Sequence, residues 1–146
     1  MKLSVVVPFY NEAECVEPFV TRLVTTLGAL PGTGCEFIFV DDGSTDGTGE
    51  RLGELARRFA GVQVLRLWGN HGHQKALVAG LDRCTGDCVL MLDGDGQHPV
   101  EVAVQLVELA ARNPDMAIIQ SVRTGQRKGL LKDALGHLFY RGINLM

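Results

Sequence analysis

Five short apolar runs space themselves along the chain: LSVVVP (3–8), EFIFV (36–40), VQVLRL (62–67), CVLML (88–92) and MAII (116–119). They are rich in Val, Ile and Phe and apolar on successive residues, the pattern of strands buried on both faces of a parallel sheet. Between them, amphipathic segments at 12–28, 46–60, 73–84, 99–112 and 129–143 supply helices long enough for crossovers. Strand and helix alternating in this way predict an α/β fold, a doubly wound, mostly parallel sheet with right-handed connections. Asn11, with Glu14 three residues on, is expected to open the first helix as a capping box. Pro99 suits the first turn of the fourth.

The chain has 146 residues, 46% hydrophobic and 21% charged, which is the composition of one globular domain and excludes disorder. Charge is uneven. Residues 1–119 hold nine Lys/Arg against 16 Asp/Glu, and 120–146 hold five against one. The expected organisation is therefore a core over 1–122 and a basic amphipathic helix over 123–146 within the same domain. No apolar run reaches the roughly 18 residues that span a bilayer. Cys15, Cys35, Cys84 and Cys88 form no CxxC, and Gly86 and Asp87 interrupt any helix that would align the last two. Reduced thiols in a cytoplasmic chain without a leader are expected, with no zinc site.

In doubly wound sheets, ligands bind beyond the carboxyl ends of the strands. Each predicted strand end carries polar residues: Tyr10, Asn11 and Glu12; Asp41, Asp42, Ser44 and Asp46; Asn70 and His71; Asp93, Asp95 and Gln97. Asp93 and Asp95 flank Gly94 directly after an apolar run. Two carboxylates so spaced can turn toward one point, and oxygen ligands suit a hard divalent cation such as Mg²⁺ or Mn²⁺. A plain Asp-Gly turn is the competing reading. Asp41 and Asp42 at a strand end can accept hydrogen bonds from a base or ribose, while Thr45 or Asp46 caps the next helix.

Other readings fail on spacing. A calcium loop counted from Asp93 would need Glu at position 104, which is Val104. GTGERLG (47–53) misplaces the third glycine of a dinucleotide fingerprint, and no P-loop occurs. A phosphatase nucleophile would be expected after the first strand, not the fourth. His71 and His73 read as loop shape and hydrogen bonding in preference to metal ligands, and Trp68 as packing in preference to base stacking. No nucleic-acid partner is expected.

VVVPFYNEAE (5–14), VDDGSTDGT (40–48), GNHGHQKALVAGLDRCTGD (69–87) and MLDGDGQHP (91–99) together resemble the GT-A glycosyltransferases of family 2. Within these the resemblance is to the polyprenyl-phosphate branch of dolichol-phosphate mannose synthases and undecaprenyl-phosphate glycosyltransferases. It implies a GT-A, Rossmann-like fold and inverting transfer of a sugar from a UDP- or GDP-sugar donor to a polyprenyl phosphate, assisted by Mg²⁺ or Mn²⁺. By position, Pro8, Tyr10, Glu12, Asp41, Asp42 and Asp93 are expected at the nucleotide, with Asp42 reading the base. Asp93, Asp95 and Gln97 are expected at the metal, while His98 is not counted as a ligand. Asp93, Asp95 and Arg123 form the catalytic set, Arg123 taking the acceptor phosphate. Gly72, Gln74 and Lys75 are minor candidates for lining the donor pocket.

The basic end, with Leu131, Ala134, Leu135, Leu138 and Phe139 able to share one helical face, fits a chain peripheral at the inner face of the membrane. The same face would permit self-association. Relatives of this kind continue past the point matching Met146, so a fold incomplete at its C-terminus is expected. The alternative function is a nucleotide-sugar-binding piece without turnover.

Overall fold

In a computed structural model, which describes residues 1–96 and 99–122, four strands alternate with four helices. They are β1 (Lys2–Phe9), α1 (Ala13–Gly28), β2 (Gly34–Asp41), α2 (Thr48–Arg58), β3 (Val62–Arg66), α3 (His73–Leu81), β4 (Cys88–Met91) and α4 (Val100–Arg112). The strands make one sheet in the order β3-β2-β1-β4, and every pair is parallel. This is the predicted α/β architecture.

Alternate residues of the apolar strands face opposite layers. Leu3, Val5, Val7 and Phe9 pack with Phe37 and Phe39 against Val16, Val20 and Leu23 of α1, Leu52 of α2 and Ala103 of α4. On the other face Val6, Ile38 and Val40 pack with Ala76 of α3. The central strands need apolar residues at nearly every position because both faces are covered. Pro8 is tolerated in β1 because β4 pairs only with Leu3 to Val6, so the missing N–H falls beyond that ladder.

A polar knot fastens the amino-terminal pole of the sheet. Buried Glu36 accepts hydrogen bonds from the Ser4 hydroxyl and from the Thr85 amide and hydroxyl (both 2.7 Å), with Lys2 Nζ 3.3 Å away. Ser4 Oγ in turn accepts from the Gly86 N–H (2.9 Å), tying β1 and β2 to the turn that leads into β4.

Three expectations are corrected. Residues 116–119 form no strand: Met116 is 59% and Ile118 85% exposed, and the run pairs with no strand among the described residues. The third helix stops at Leu81 instead of residue 84, because the Arg83 and Cys84 amides bond back to Gly80 and Leu81 in tighter turns. The Asn11–Glu14 capping box does not form, since Glu12 is the N-cap of α1 and makes no side-chain cap. Asn11 instead adopts φ 54°, a left-handed conformation that asparagine tolerates. The helix expected at 129–143 lies outside the described residues.

Candidate functional site

The connections that follow β1 and β2 are stitched together at the carboxyl end of the sheet. The Asn11 N–H donates to Ser44 Oγ (3.0 Å), and the Thr45 N–H donates to Asn11 Oδ1 (2.9 Å). The Glu12 N–H donates to Thr48 Oγ1 (2.9 Å) and the Ala13 N–H to Asp46 Oδ2 (3.0 Å). Asp46 Oδ1 accepts from both the Thr48 amide (3.0 Å) and its hydroxyl (2.6 Å). One carboxylate thus satisfies amides at the starts of α1 and α2, orphan donors that no intrahelical bond reaches. Partial desolvation opposes its charge, but the Thr48 hydroxyl and the Ala13 and Thr48 amides outweigh this and hold its pKa below the usual carboxylate value. The expected N-cap by Thr45 or Asp46 is not formed, since Glu12 and Gly47 hold the N-cap positions, but Asp46 serves the first amide of each helix from outside them.

Asn11, Glu12, Cys15, Asp46 and Asp95 line a cleft of about 340 Å³ over this seam. Cys15 Sγ donates toward Glu12 Oε2 (3.1 Å), and its pKa is pushed up to about 11, chiefly by burial, then by Glu12, with Asp95 adding a smaller effect. It stays a neutral thiol at physiological pH and supplies no thiolate.

The D-G-D turn owes its glycine to β1. A Cβ on Gly94 would lie 2.5 Å from the Phe9 ring and 2.6 Å from the Pro8 carbonyl oxygen, so only a bare backbone fits there. Phe9 is itself held by edge-on contacts with Phe19 and Phe39 at 6.3 and 5.7 Å between ring centroids. Seated on this floor, the two carboxylates part company. Asp95 lines the first cleft, whereas Asp93 borders a smaller one of about 130 Å³ with His73, Met91, Pro99 and Ser121. His73 Nε2 stands 3.5 Å from Asp93 Oδ1.

The paired aspartates after β2 face inward. Asp41 is wholly buried; its Oδ1 accepts the Ser44 N–H (2.9 Å), and Arg66 Nε lies 3.3 Å from Oδ2. Asp42, 3% exposed, accepts the His71 N–H on Oδ1 and the Gly72 N–H on Oδ2, each at 2.8 Å. It thereby fastens the loop between β3 and α3. Gly43 beside it has φ 70° and packs on that loop, where a Cβ would come 2.4 Å from the Gly69 carbonyl carbon.

Of the other candidates, Pro8 is buried, Glu12 is half-buried at the cleft wall and Tyr10 is 45% exposed. Gln97, His98 and Arg123 lie outside the described residues. Trp68 is 92% exposed, which overturns its reading as a packing residue. It meets His71 edge-on at 5.1 Å. Sequence reasoning did not single out Asp46 and Cys15 as walls of the cleft, because their placement depends on two loops meeting. The His73 contact with Asp93 was equally hidden.

Among the described residues no group of three His, Cys, Asp or Glu side chains is placed to hold a metal ion by itself. Asp93 and Asp95 supply oxygen donors of the kind a hard divalent cation takes. No helix among the described residues is long and apolar enough to cross a membrane.

A parallel sheet with carboxylates on the turns beyond its strand ends, one of them a D-G-D, defines a Rossmann-like ligand-binding class. A family model described as Glycosyl transferase family 2 matches residues 4–144, and the chain belongs to that family. It is 37% identical over 118 residues to a dolichol-phosphate mannosyltransferase of Pyrococcus furiosus, covering 81% of this chain and 32% of that one. It is 35% identical over 141 residues to a prophage bactoprenol glucosyl transferase homolog of Escherichia coli, covering 97% and 45%. Among solved structures, S. aureus TarS 1-349 aligns with TM-score 0.62 and 28% identity over 88% of this chain and 40% of that one. The mannosyltransferase PcManGT from Pyrobaculum calidifontis, in complex with GDP-Man and Mn²⁺, aligns with TM-score 0.65 and 26% identity over 75% and 32%. The fold is thus that of GT-A glycosyltransferases, and the chain spans less than half the length of these relatives.

Proposed function

We propose that the chain is an inverting glycosyltransferase, or the catalytic part of one, that moves a sugar from a nucleoside-diphosphate donor to a polyprenyl phosphate with the help of a metal. The observation that carries this reading is the D-G-D turn seated on Phe9 beside the oxygen-lined cleft, at the end of the sheet where α/β folds bind ligands. PcManGT was solved with GDP-Man and Mn²⁺, and TarS with UDP-GlcNAc, which supports a nucleotide-sugar donor and Mg²⁺ or Mn²⁺ here. The relatives named for dolichol phosphate and bactoprenol support the lipid acceptor.

In this reading Pro8, Tyr10 and Glu12 border the nucleotide, and the Asp41–Asp42 turn frames its base. Asp93, Asp95 and Gln97 would hold the cation, and Arg123 would receive the acceptor phosphate. The bound cation supplies Lewis-acid neutralisation of the diphosphate leaving group. The acceptor phosphate is already anionic at neutral pH, so the chain's own residues need to orient it and screen its charge more than remove a proton. The basic residues of 123–146 suit work at an anionic membrane surface.

Because the chain spans 32% and 45% of two relatives, a nucleotide-sugar-binding piece without turnover is the second reading. The test is transfer of labelled sugar from UDP-glucose or GDP-mannose to undecaprenyl phosphate in detergent with Mn²⁺. Labelled glycolipid supports the first reading. Metal-dependent nucleotide binding without product supports the second, and neither binding nor product contradicts both.

A further inference from the structure

We infer that His73 is a positioning residue for Asp93, holding the first carboxylate of the D-G-D turn in the orientation that a divalent cation and its nucleotide require. This rests on the donor-site reading above. His73 Nε2 lies 3.5 Å from Asp93 Oδ1, and both side chains are about half exposed on the wall of one small cleft. The two residues differ in how firmly they are held, and that difference gives the contact a direction.

His73 opens α3, an element fixed from both sides. Behind it, the buried Asp42 carboxylate takes the amides of His71 and Gly72, so the chain entering the helix has a set path. The Lys75 and Ala76 amides return to the Gly72 carbonyl, and Ala76 is fully buried between α3 and the sheet. Asp93 has its backbone set by the packing of Gly94 on Phe9 and by the Leu92 amide on Val6, while His73 is the one ion-pair partner of its side chain among the described residues. It follows a four-residue edge strand and stands in the irregular turn around Gly94 and Gly96. A side chain on a braced helix can orient one on a turn; the reverse is not available.

The chemistry agrees with the geometry. Carboxylates that bind metals are themselves hydrogen-bonded by neighbours, and loss of such a neighbour typically weakens metal affinity by 10- to 100-fold. A direct contact between His73 and nucleotide would act with or without metal. A positioning role acts only through the metal-dependent part of binding.

Calorimetric titration of the purified chain with UDP, UDP-glucose and GDP-mannose, each with and without Mn²⁺, separates these cases for wild type, His73→Ala, His73→Gln and Asp95→Ala. His73→Ala should weaken Mn²⁺-dependent affinity about tenfold, leave metal-free affinity and the melting temperature unchanged, and be largely rescued in His73→Gln, which retains an N–H donor. Unchanged Mn²⁺-dependent affinity in His73→Ala overturns the inference while leaving the donor site standing, as does a loss of equal size with and without metal. Absence of rescue in His73→Gln also overturns it. If wild type shows no metal-dependent binding, the donor-site reading fails and the inference falls with it.

Discussion

At the scale of single residues, Gly94 explains why two carboxylates flank a glycine directly after a buried strand. The turn must lie on the Phe9 ring and the Pro8 carbonyl, so any side chain there would push the D-G-D backbone away from β1. Gly94→Ala is expected to cost about 1–3 kcal/mol, as overpacking does, and to lower metal-dependent nucleotide affinity. Urea unfolding and calorimetry read the two effects separately. Asp46 has the opposite character, since its own side chain supplies the structure. Asp46→Ala removes the acceptor for the first amides of α1 and α2 and should destabilise the fold by about 1 kcal/mol for each helix start left unpaired. A loss confined to a few tenths of that in urea unfolding would show that water replaces it.

Secondary-structure elements were legible wherever the apolar period decided the matter. Four of the five apolar runs are strands because each finds a parallel neighbour, and β1, buried from Leu3 to Phe9, falls in the middle of the sheet. The run at 116–119 has a similar composition but pairs with no strand among the described residues, which a local pattern cannot reveal. Asn11 was read as a cap from its residue type, yet tertiary contact with Ser44 and Thr45 takes both its amide and its side chain. The carboxylates beyond β4 were visible in the sequence, whereas their division between two clefts depends on how the turn sits on Phe9. Trp68 shows the same limit, because its exposure follows from what the loop after β3 leaves uncovered.

The polar knot at the other end of the sheet also belongs to this scale. The Ser4 hydroxyl foremost, then the Thr85 amide and hydroxyl and Lys2, lower the Glu36 pKa from 4.5 to about 2 against the opposing effect of burial. A carboxylate whose folded pKa is depressed contributes stability that is present above its unfolded pKa and lost as pH falls through the folded one. The window is therefore from about pH 4.5 down to about 2. Unfolding free energy measured across it should fall more steeply in wild type than in Glu36→Gln. Equal slopes would contradict the knot's contribution.

For the whole molecule, the two ends of the sheet have separate duties. The amino-terminal pole is locked by internal pairing, while the carboxyl-terminal pole gathers Glu12, Asp46, Asp93 and Asp95 around clefts open to a ligand. Their oxygens are donors of the kind a hard divalent cation takes. This is the physical content of the claim that the chain binds a nucleoside diphosphate together with a metal. The family match over 4–144 gives that claim its chemical direction, and the limited coverage of the relatives leaves turnover to the transfer assay.

The most direct test compares wild type with Asp95→Ala in calorimetric titrations of UDP and GDP, with and without Mn²⁺. The account predicts that wild type binds at least one of the two much more tightly with Mn²⁺. It also predicts that Asp95→Ala loses this increment while keeping the wild-type melting temperature. Mn²⁺-dependent affinity that is the same in both proteins would contradict the assignment of the D-G-D turn to the donor site.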